Sequence, residues 1–335
     1  MKLMTKAALA ASLAFAAPAG AAAEEASYVL ATASTGGTYY PVGVALATLV
    51  KVKLEPGMSI AMSAISSAGS GENIRLMREG EAQFAILQGL FGFYAASGTG
   101  PLEGAGAQTN LRSVTMLWQN VEQFVVASDR ATTGTMADFV ALEGSAVALG
   151  AQNSGTIGSN STLLAGLGVD IDTAYDLVYG GYGPAAEALQ NGQVAGISTP
   201  SGVPTGALSQ LFASAGDGVT MLNFTDEEMV AADGGRELWT RFVIPAGTYP
   251  GQQADIATVA QPNFLAVNAD VSEENVYLIT KTIFENLAFL QAIHPATQAM
   301  MIEAAIAGLP VALHPGAARY YQEVGIDIPA RLIAN

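Results

Sequence analysis

Three times along this sequence a strand-length apolar run ends in a loop of small residues that leads straight into a helical stretch. The loops are "ASTGGTYYP" at 33–41, "SSAGSGEN" at 66–73 and "AQNSGTIGS" at 151–159. A strand that feeds a helix through a tight loop, repeated, builds a parallel sheet by right-handed crossovers. The loops then gather outside the carboxyl ends of the strands, where ligands of such sheets bind.

The alternation runs through most of the chain. Tyr28 to Ala33 reads as a strand and Tyr40 to Val50 as a helix, with Pro41 in its first turn, where a missing N–H costs nothing. Met58 to Ile65 is a strand, followed by a helix through about Glu79 and a third strand over 82–88. After "LRSVTMLWQNVEQFVVAS" the pattern restarts: strand Val147 to Gly150, helix Thr156 to Leu167, strand "YDLVYG", helix Pro184 to Gln190 and strand "GQVAGIST". "IATVAQPNFLAVNAD" reads as strands, Glu273 to Leu290 as one long amphipathic helix, and Thr297 to Ile306 as another. "TDEEMVAADGG" reads as a solvated helix. The 335 residues exceed what one core usually holds, so an α/β fold of two domains is expected.

Lys2 and Lys6 precede an apolar run, Ala7 to Ala17, that closes on Ala21, Ala22 and Ala23, the pattern of a secretory signal peptide over residues 1–23. The run is too short for a membrane span, and no later segment offers about 18 uninterrupted apolar residues. The chain has no cysteine, so it can form neither a disulfide nor a lipid-anchored thiol. An exported, untethered protein is best retained in a Gram-negative periplasm, with secretion to the medium as the alternative.

Without Lys2 and Lys6, 11 of the 13 basic residues stand against 29 acidic ones, a net charge of −18. Such a field repels nucleic acid and anionic lipid. An anionic ligand would be repelled at long range too, so its binding must be solved locally. The three loops supply the means. A helix start carries N–H groups without partners and about half a positive charge, so an anion can sit there without lysine or arginine.

Catalytic and cofactor patterns are weak. The two histidines, His294 and His314, each precede a proline and have no metal-ligand spacing, which favours a structural role. There is no Gly-x-Ser-x-Gly elbow and no P-loop. "GYGPAA" at 181–186 matches a dinucleotide turn, but the next acidic residue after Glu187 is Asp217, too far on for a ribose. No cofactor and no metal are expected. Tyr39, Tyr40, Phe91, Phe93 and Tyr94 fall at loop ends, where aromatics either wall a pocket or pack in the core.

Five separated motifs, "TASTGGTYYPVG", "GAQNSGT", "SGVPTGALSQL", "IPAGTYPGQ" and "LHPGAARYYQEVG", together resemble the TAXI family of receptors that serve TRAP transporters, in order from about residue 28 to 325. The resemblance implies a two-domain periplasmic binding protein fold, type II-like, each domain a mainly parallel sheet flanked by helices, with the ligand cleft between them. It divides the chain into 27–122 with 226–335 as one domain and 123–225 as the other. It implies a monomeric receptor for a small organic anion, a dicarboxylate, 2-oxoacid or acidic amino acid such as glutamate, that performs no chemistry and delivers its solute to a sodium-coupled membrane permease. A sensing role beside a membrane receptor and a periplasmic serine hydrolase are the rival readings.

Matched motif by motif, the ligand contacts implied are Thr35, Gly37, Tyr39, Tyr40, Ser67, Ser70 and Gln88 from the first domain. From the second come Ser154, Gly155 and Thr156, with Gly202, Val203 and Pro204 in a crossover loop. "LHPGAARYYQEVG" is expected to hold the last helix on the first domain, with Arg319 paired nearby. Two departures from the family stand out: Gln88-Gly89-Leu90 replaces Gln-Ser-Asp, and Ala68 stands where glycine is common. The lost acid is either a partner for a ligand ammonium, which would favour a dicarboxylate or oxoacid, or only a helix cap.

Overall fold

A computed structural model describes residues 25–334; the signal-peptide reading lies outside the described residues. The first half of the chain runs β1 (Ala26–Ala31), α1 (Tyr39–Met58), β2 (Ile60–Ile65), α2 (Ser70–Arg78), β3 (Phe84–Gln88), α3 (Gly89–Ser97), β4 (Leu111–Val121), β5 (Phe124–Ala127), α4 (Met136–Val140) and β6 (Ala146–Ala148). It continues with α5 (Gly155–Gly166), α6 (Ile171–Ala174), β7 (Asp176–Leu177), α7 (Tyr182–Gln190), β8 (Gly196–Ser198), α8 (Gly206–Ala215) and β9 (Val219–Met221). The last part holds α9 (Asp226–Asp233), β10 (Thr240–Ile244), β11 (Ile256–Asn268), α10 (Glu273–Glu285), α11 (Leu287–Gln291) and α12 (Pro315–Glu323).

Two sheets result, one per lobe. The first has the order β10-β11-β3-β1-β2, with β4 also on β11; the second has the order β7-β6-β8-β5-β9. The helices cover the faces, so central strands such as Phe84-Ala85-Ile86-Leu87-Gln88 are buried along their whole length. Among the described residues no helix is long and apolar enough to cross a membrane.

The crossovers read from the sequence are there: β1 is parallel to β2 and β3, and β6 to β7 and β8. The expectation of mainly parallel sheets needs amending, because both sheets are mixed. The returning β11 runs antiparallel to β3, β4 and β10, and β5 antiparallel to β8 and β9. "IATVAQPNFLAVNAD" forms one strand rather than several, and Pro262, which cannot donate to a ladder, sits where the register with β4 shifts.

Two chain passages join the lobes. One is the turn from β4 into β5, where the Glu122 amide donates to the Val259 carbonyl at 2.9 Å and the Thr258 hydroxyl to the Glu122 carbonyl at 2.7 Å. The other is β11, whose Val259 and Ala260 lie in the apolar clusters of the second lobe while Phe264 to Val267 lie in that of the first.

The C-terminal helices differ from expectation in two places. The helix read over Glu273 to Leu290 breaks at Asn286, whose side-chain amide donates to the Thr282 carbonyl at 2.8 Å and competes with the backbone ladder. Residues 297–306 form short 3-10 turns instead of an α-helix, because the Ala305 carbonyl accepts the Met116 amide of β4 at 2.7 Å. α12 packs on α10, with Arg319 bonded to Glu274 at 2.6 Å and lying 4.0 Å from the Tyr277 ring centroid.

Candidate functional site

Between the lobes lies a cavity of about 140 Å³. It is smaller than the roughly 300–1,000 Å³ of pockets for drug-sized molecules. Four helices of nine residues or more present their first residues to it: Thr38 and Tyr39 of α1, Gly69 and Ser70 of α2, Ser154 to Thr156 of α5, and Gly181 and Tyr182 of α7; Gln88, the residue before α3, lines it as well, but the first residues of α3 do not. The remaining lining is Ala33, Ser34, Gly37, Ser67, Ala68, Asn120, Ala151, Gly180, Pro200 and Ser201, so among the described residues no charged side chain faces the cavity.

The helix starts are bare in the way that suits an anion. α1, α2 and α7 have no side-chain cap. The amides of Tyr39, Ser70, Gly155, Thr156 and Tyr182, first or second in their helices, have no intrahelical acceptor. Ser154 uses its hydroxyl to cap Ile157 at 3.1 Å, further along α5. Each helix end carries about half a positive charge, so their convergence makes the cavity electropositive within a strongly acidic protein.

The lobes meet around the cavity. The Glu72 amide donates to the Asn153 carbonyl at 2.9 Å, the Ala207 amide to the Gly36 carbonyl at 3.2 Å, and the Thr38 amide to the Ser201 hydroxyl at 3.1 Å. The Tyr182 ring covers Gly37, where a Cβ would stand 3.1 Å from it. The Tyr182 hydroxyl donates to the Pro200 carbonyl at 2.6 Å and lies 2.8 Å from the Thr156 hydroxyl. Burial holds the Tyr39 and Tyr182 phenols well above their usual pKa, so both stay neutral. This is a closed arrangement, and glycine makes it attainable: a Cβ on Gly155 would lie 2.8 Å from the Ser70 Cβ, and one on Gly71 would lie 2.3 Å from the Asn153 carbonyl oxygen.

Of the residues named from the sequence, Gly37, Tyr39, Ser67, Ser70, Gln88, Ser154, Gly155 and Thr156 line this cavity. Five do not. Thr35 is exposed at the corner of the turn closed by the Gly37 amide and the Ser34 carbonyl, 3.3 Å apart. Tyr40 follows Tyr39 by about 100° on α1 and points away from the lining. Gly202, Val203 and Pro204 lie behind the crossing strands: Gly202 against Trp118 and Ala296, Val203 and Pro204 in a separate groove. The antiparallel bridge between Val121 and Ser201 pins Pro200 and Ser201 at the cavity and turns the next residues away from it.

The sequence reading missed Asn120, Tyr182 and Ser201. "GYGPAA" matches a dinucleotide turn, yet it has the same strand-loop-helix form as the other three loops. Asn120 sits inside an apolar strand and carries no local signal. Neither Gly89 nor Leu90 lines the cavity: Gly89 faces Pro262, and Leu90 is buried in an apolar cluster of the second lobe. Their departure from the family pattern therefore places nothing at a ligand. Both histidines act as helix caps. His294 Nδ1 accepts the Ala296 amide, which leaves Nε2–H to donate to the Pro204 carbonyl at 3.0 Å; His314 does the same with Gly316 and Val271.

Behind the cavity runs a buried polar seam on the crossing strands. The Tyr39 hydroxyl donates to Asn263, whose amide reaches Asn120 at 3.5 Å. Gln261 accepts the Leu90 amide at 3.0 Å, and Tyr249 donates to Gln123. Glu122, 1% exposed, takes one bond from the Trp239 indole at 3.2 Å, and its other oxygen has no partner. Burial pushes this carboxyl up to about 7, against smaller opposing effects of Trp239 and Gln261.

Residues 30–325 match the model of the NMT1-like family. The chain belongs to that family. Solved structures similar to this NMT1-like chain include a binding protein component of an ABC phosphonate transporter from Pseudomonas aeruginosa, with a TM-score of 0.51 and 10% identity over 82% of this chain and 80% of that one. MatC from Rhodopseudomonas palustris with bound malate gives a TM-score of 0.51 at 15% identity, over 89% and 98% of the two chains. XAC2383 from Xanthomonas citri bound to ATP gives 0.50 at 11%, over 89% and 95%. At such identities the likeness shows the fold: this NMT1-like chain has the two-lobed α/β architecture of periplasmic binding proteins.

Proposed function

We propose that the protein is an exported solute receptor that closes over one small organic anion and releases it to a membrane permease, without acting on it chemically. The observation that carries this reading is the convergence of four helix starts from both lobes on a cavity that, among the described residues, is lined by no charged side chain. A ligand favours the closed state only through contacts that the open state lacks, and an anion touching α2 on one lobe and α5 and α7 on the other makes such contacts. The fold neighbours support a binding role, since one is the binding component of a phosphonate transporter and the other two hold malate and ATP.

The five motifs shared with TAXI receptors support a sodium-coupled TRAP permease as the partner and the periplasm as the location. In this reading the receptor acts as a monomer. Residues 27–122 with 226–335 swing against 123–225 about the two crossing passages, except that α9, at the start of the 226–335 segment, packs on α5 and travels with the second lobe. The candidate contacts are the eight cavity-lining residues named from the sequence together with Asn120, Tyr182 and Ser201.

Thr156→Asp tests the anion site, because it places a carboxylate of the protein's own at the start of α5. Anions that raise the melting temperature of the wild type, by about 2.7 kcal/mol of stabilisation at 100 times the dissociation constant, should leave the variant unshifted while it remains folded. A variant that keeps the full shift contradicts the site.

A further inference from the structure

Two side-chain amides in the cavity wall have an end without a hydrogen-bond partner. Gln88, 3% exposed, has an unpartnered Oε1, and Asn120, 1% exposed, an unpartnered Nδ2. Both residues line the cavity. They come from the two strands that pair with β11: Gln88 of β3 lies opposite Asn263, and Asn120 of β4 lies opposite Gln261, two residues before it. The Asn120 carbonyl is engaged by Asn263, which aims the amide nitrogen elsewhere. A Cβ placed on Gly155 would lie 2.6 Å from Gln88 Oε1, so that oxygen reaches across to the start of α5. Buried polar groups are rarely left unpaired, and an unpaired one costs more than a hydrogen bond returns.

We infer that the ligand carries, beside its oxyanion, an uncharged group that both donates and accepts a hydrogen bond, a hydroxyl foremost, seated between Gln88 and Asn120. The inference rests on the anion-receptor reading above and deepens it. A hydroxyl gives its proton to Gln88 Oε1 and accepts from Asn120 Nδ2. A 2-oxo group serves only Asn120, and a C2 hydrogen serves neither. An ammonium could donate to Gln88, but it would stand among four electropositive helix starts with no carboxylate among the described lining residues to balance it. The ligand class is therefore a small hydroxycarboxylate rather than an amino acid or a plain dicarboxylate.

Calorimetric titration of the purified wild type with matched acids differing only at C2 decides this. The sets are propionate, pyruvate, lactate and alanine; succinate, malate and aspartate; and glutarate, 2-oxoglutarate, 2-hydroxyglutarate and glutamate, both enantiomers where they exist. In at least one set the hydroxy acid should bind on the order of tenfold tighter than its hydrogen and oxo counterparts, and the amino acid weakest. Gln88→Met and Asn120→Ala, made separately, should each lower the hydroxy acid's affinity by a larger factor than the unsubstituted acid's, so that the ratio between the two shrinks. Equal binding of the hydroxy and unsubstituted acids, or preference for the amino acid, overturns the inference; if such binding is still lost in Thr156→Asp, the anion-receptor reading survives it. If no member of any set binds, both fall.

Discussion

At the residue scale, the polar groups of this protein divide into those that complete the fold and those left facing the cavity. Asp138 shows the first kind: burial opposes its ionisation, but amides of Thr132, Thr133 and Gly134 donate to its carboxylate and hold its pKa below the ordinary value. Glu122 is the opposite case, a buried carboxyl with one bond from Trp239 and one bare oxygen. Its pKa rises from 4.5 to about 7, so the native state prefers the protonated form. With both states protonated below the unfolded value, this residue's contribution is complete there and is lost as pH rises through about 7. Glu122→Gln should match the wild type in unfolding free energy near pH 4.5 and exceed it above pH 7 by up to about 3 kcal/mol. Denaturant titrations of both proteins across that window check it, and a gap that does not change with pH refutes the assignment.

At the element scale, the strand-loop-helix units were legible because each is local: β1 to α1, β2 to α2 and β6 to α5 declare themselves by apolar runs and small-residue loops. What stayed hidden depends on distant partners. The direction of β11 is set by β3, β4 and β10, and the 3-10 turns near Ala305 by a bond to β4. The site followed the same division. Loop residues such as Ser70 and Thr156 could be named from the chain, whereas Asn120 becomes a wall residue only when β4 pairs with β11. Thr35 and Val203 fell outside the cavity because a motif fixes a loop's position but not which of its residues turns inward. The junction of α5 with α2 gives a test at this scale. Gly155 sits at the first position of α5 with no special backbone angle, so Gly155→Ala is compatible with the helix but drives a methyl against Ser70 and Gln88. Anion affinity should fall at least tenfold, by roughly 1.4 kcal/mol, with the ligand-free melting temperature unchanged or slightly higher. Unaltered affinity would mean that the two helix starts do not close on each other around the ligand.

At the scale of the whole molecule, a chain of net charge −16 that binds an anion needs its positive potential at short range. Basic side chains in the cavity would serve, but among the described residues none lines it. In the proposed receptor, main-chain dipoles gathered from both lobes serve instead, and because they come from both lobes they would tie binding to closure. The crystal structure of the protein with its co-purified solute bound tests this most directly. Anionic oxygens should lie about 2.9 Å from the amides of Ser70 on one lobe and of Gly155, Thr156 or Tyr182 on the other. A solute whose charge is met by a lysine or arginine, or that contacts only one lobe, would contradict it.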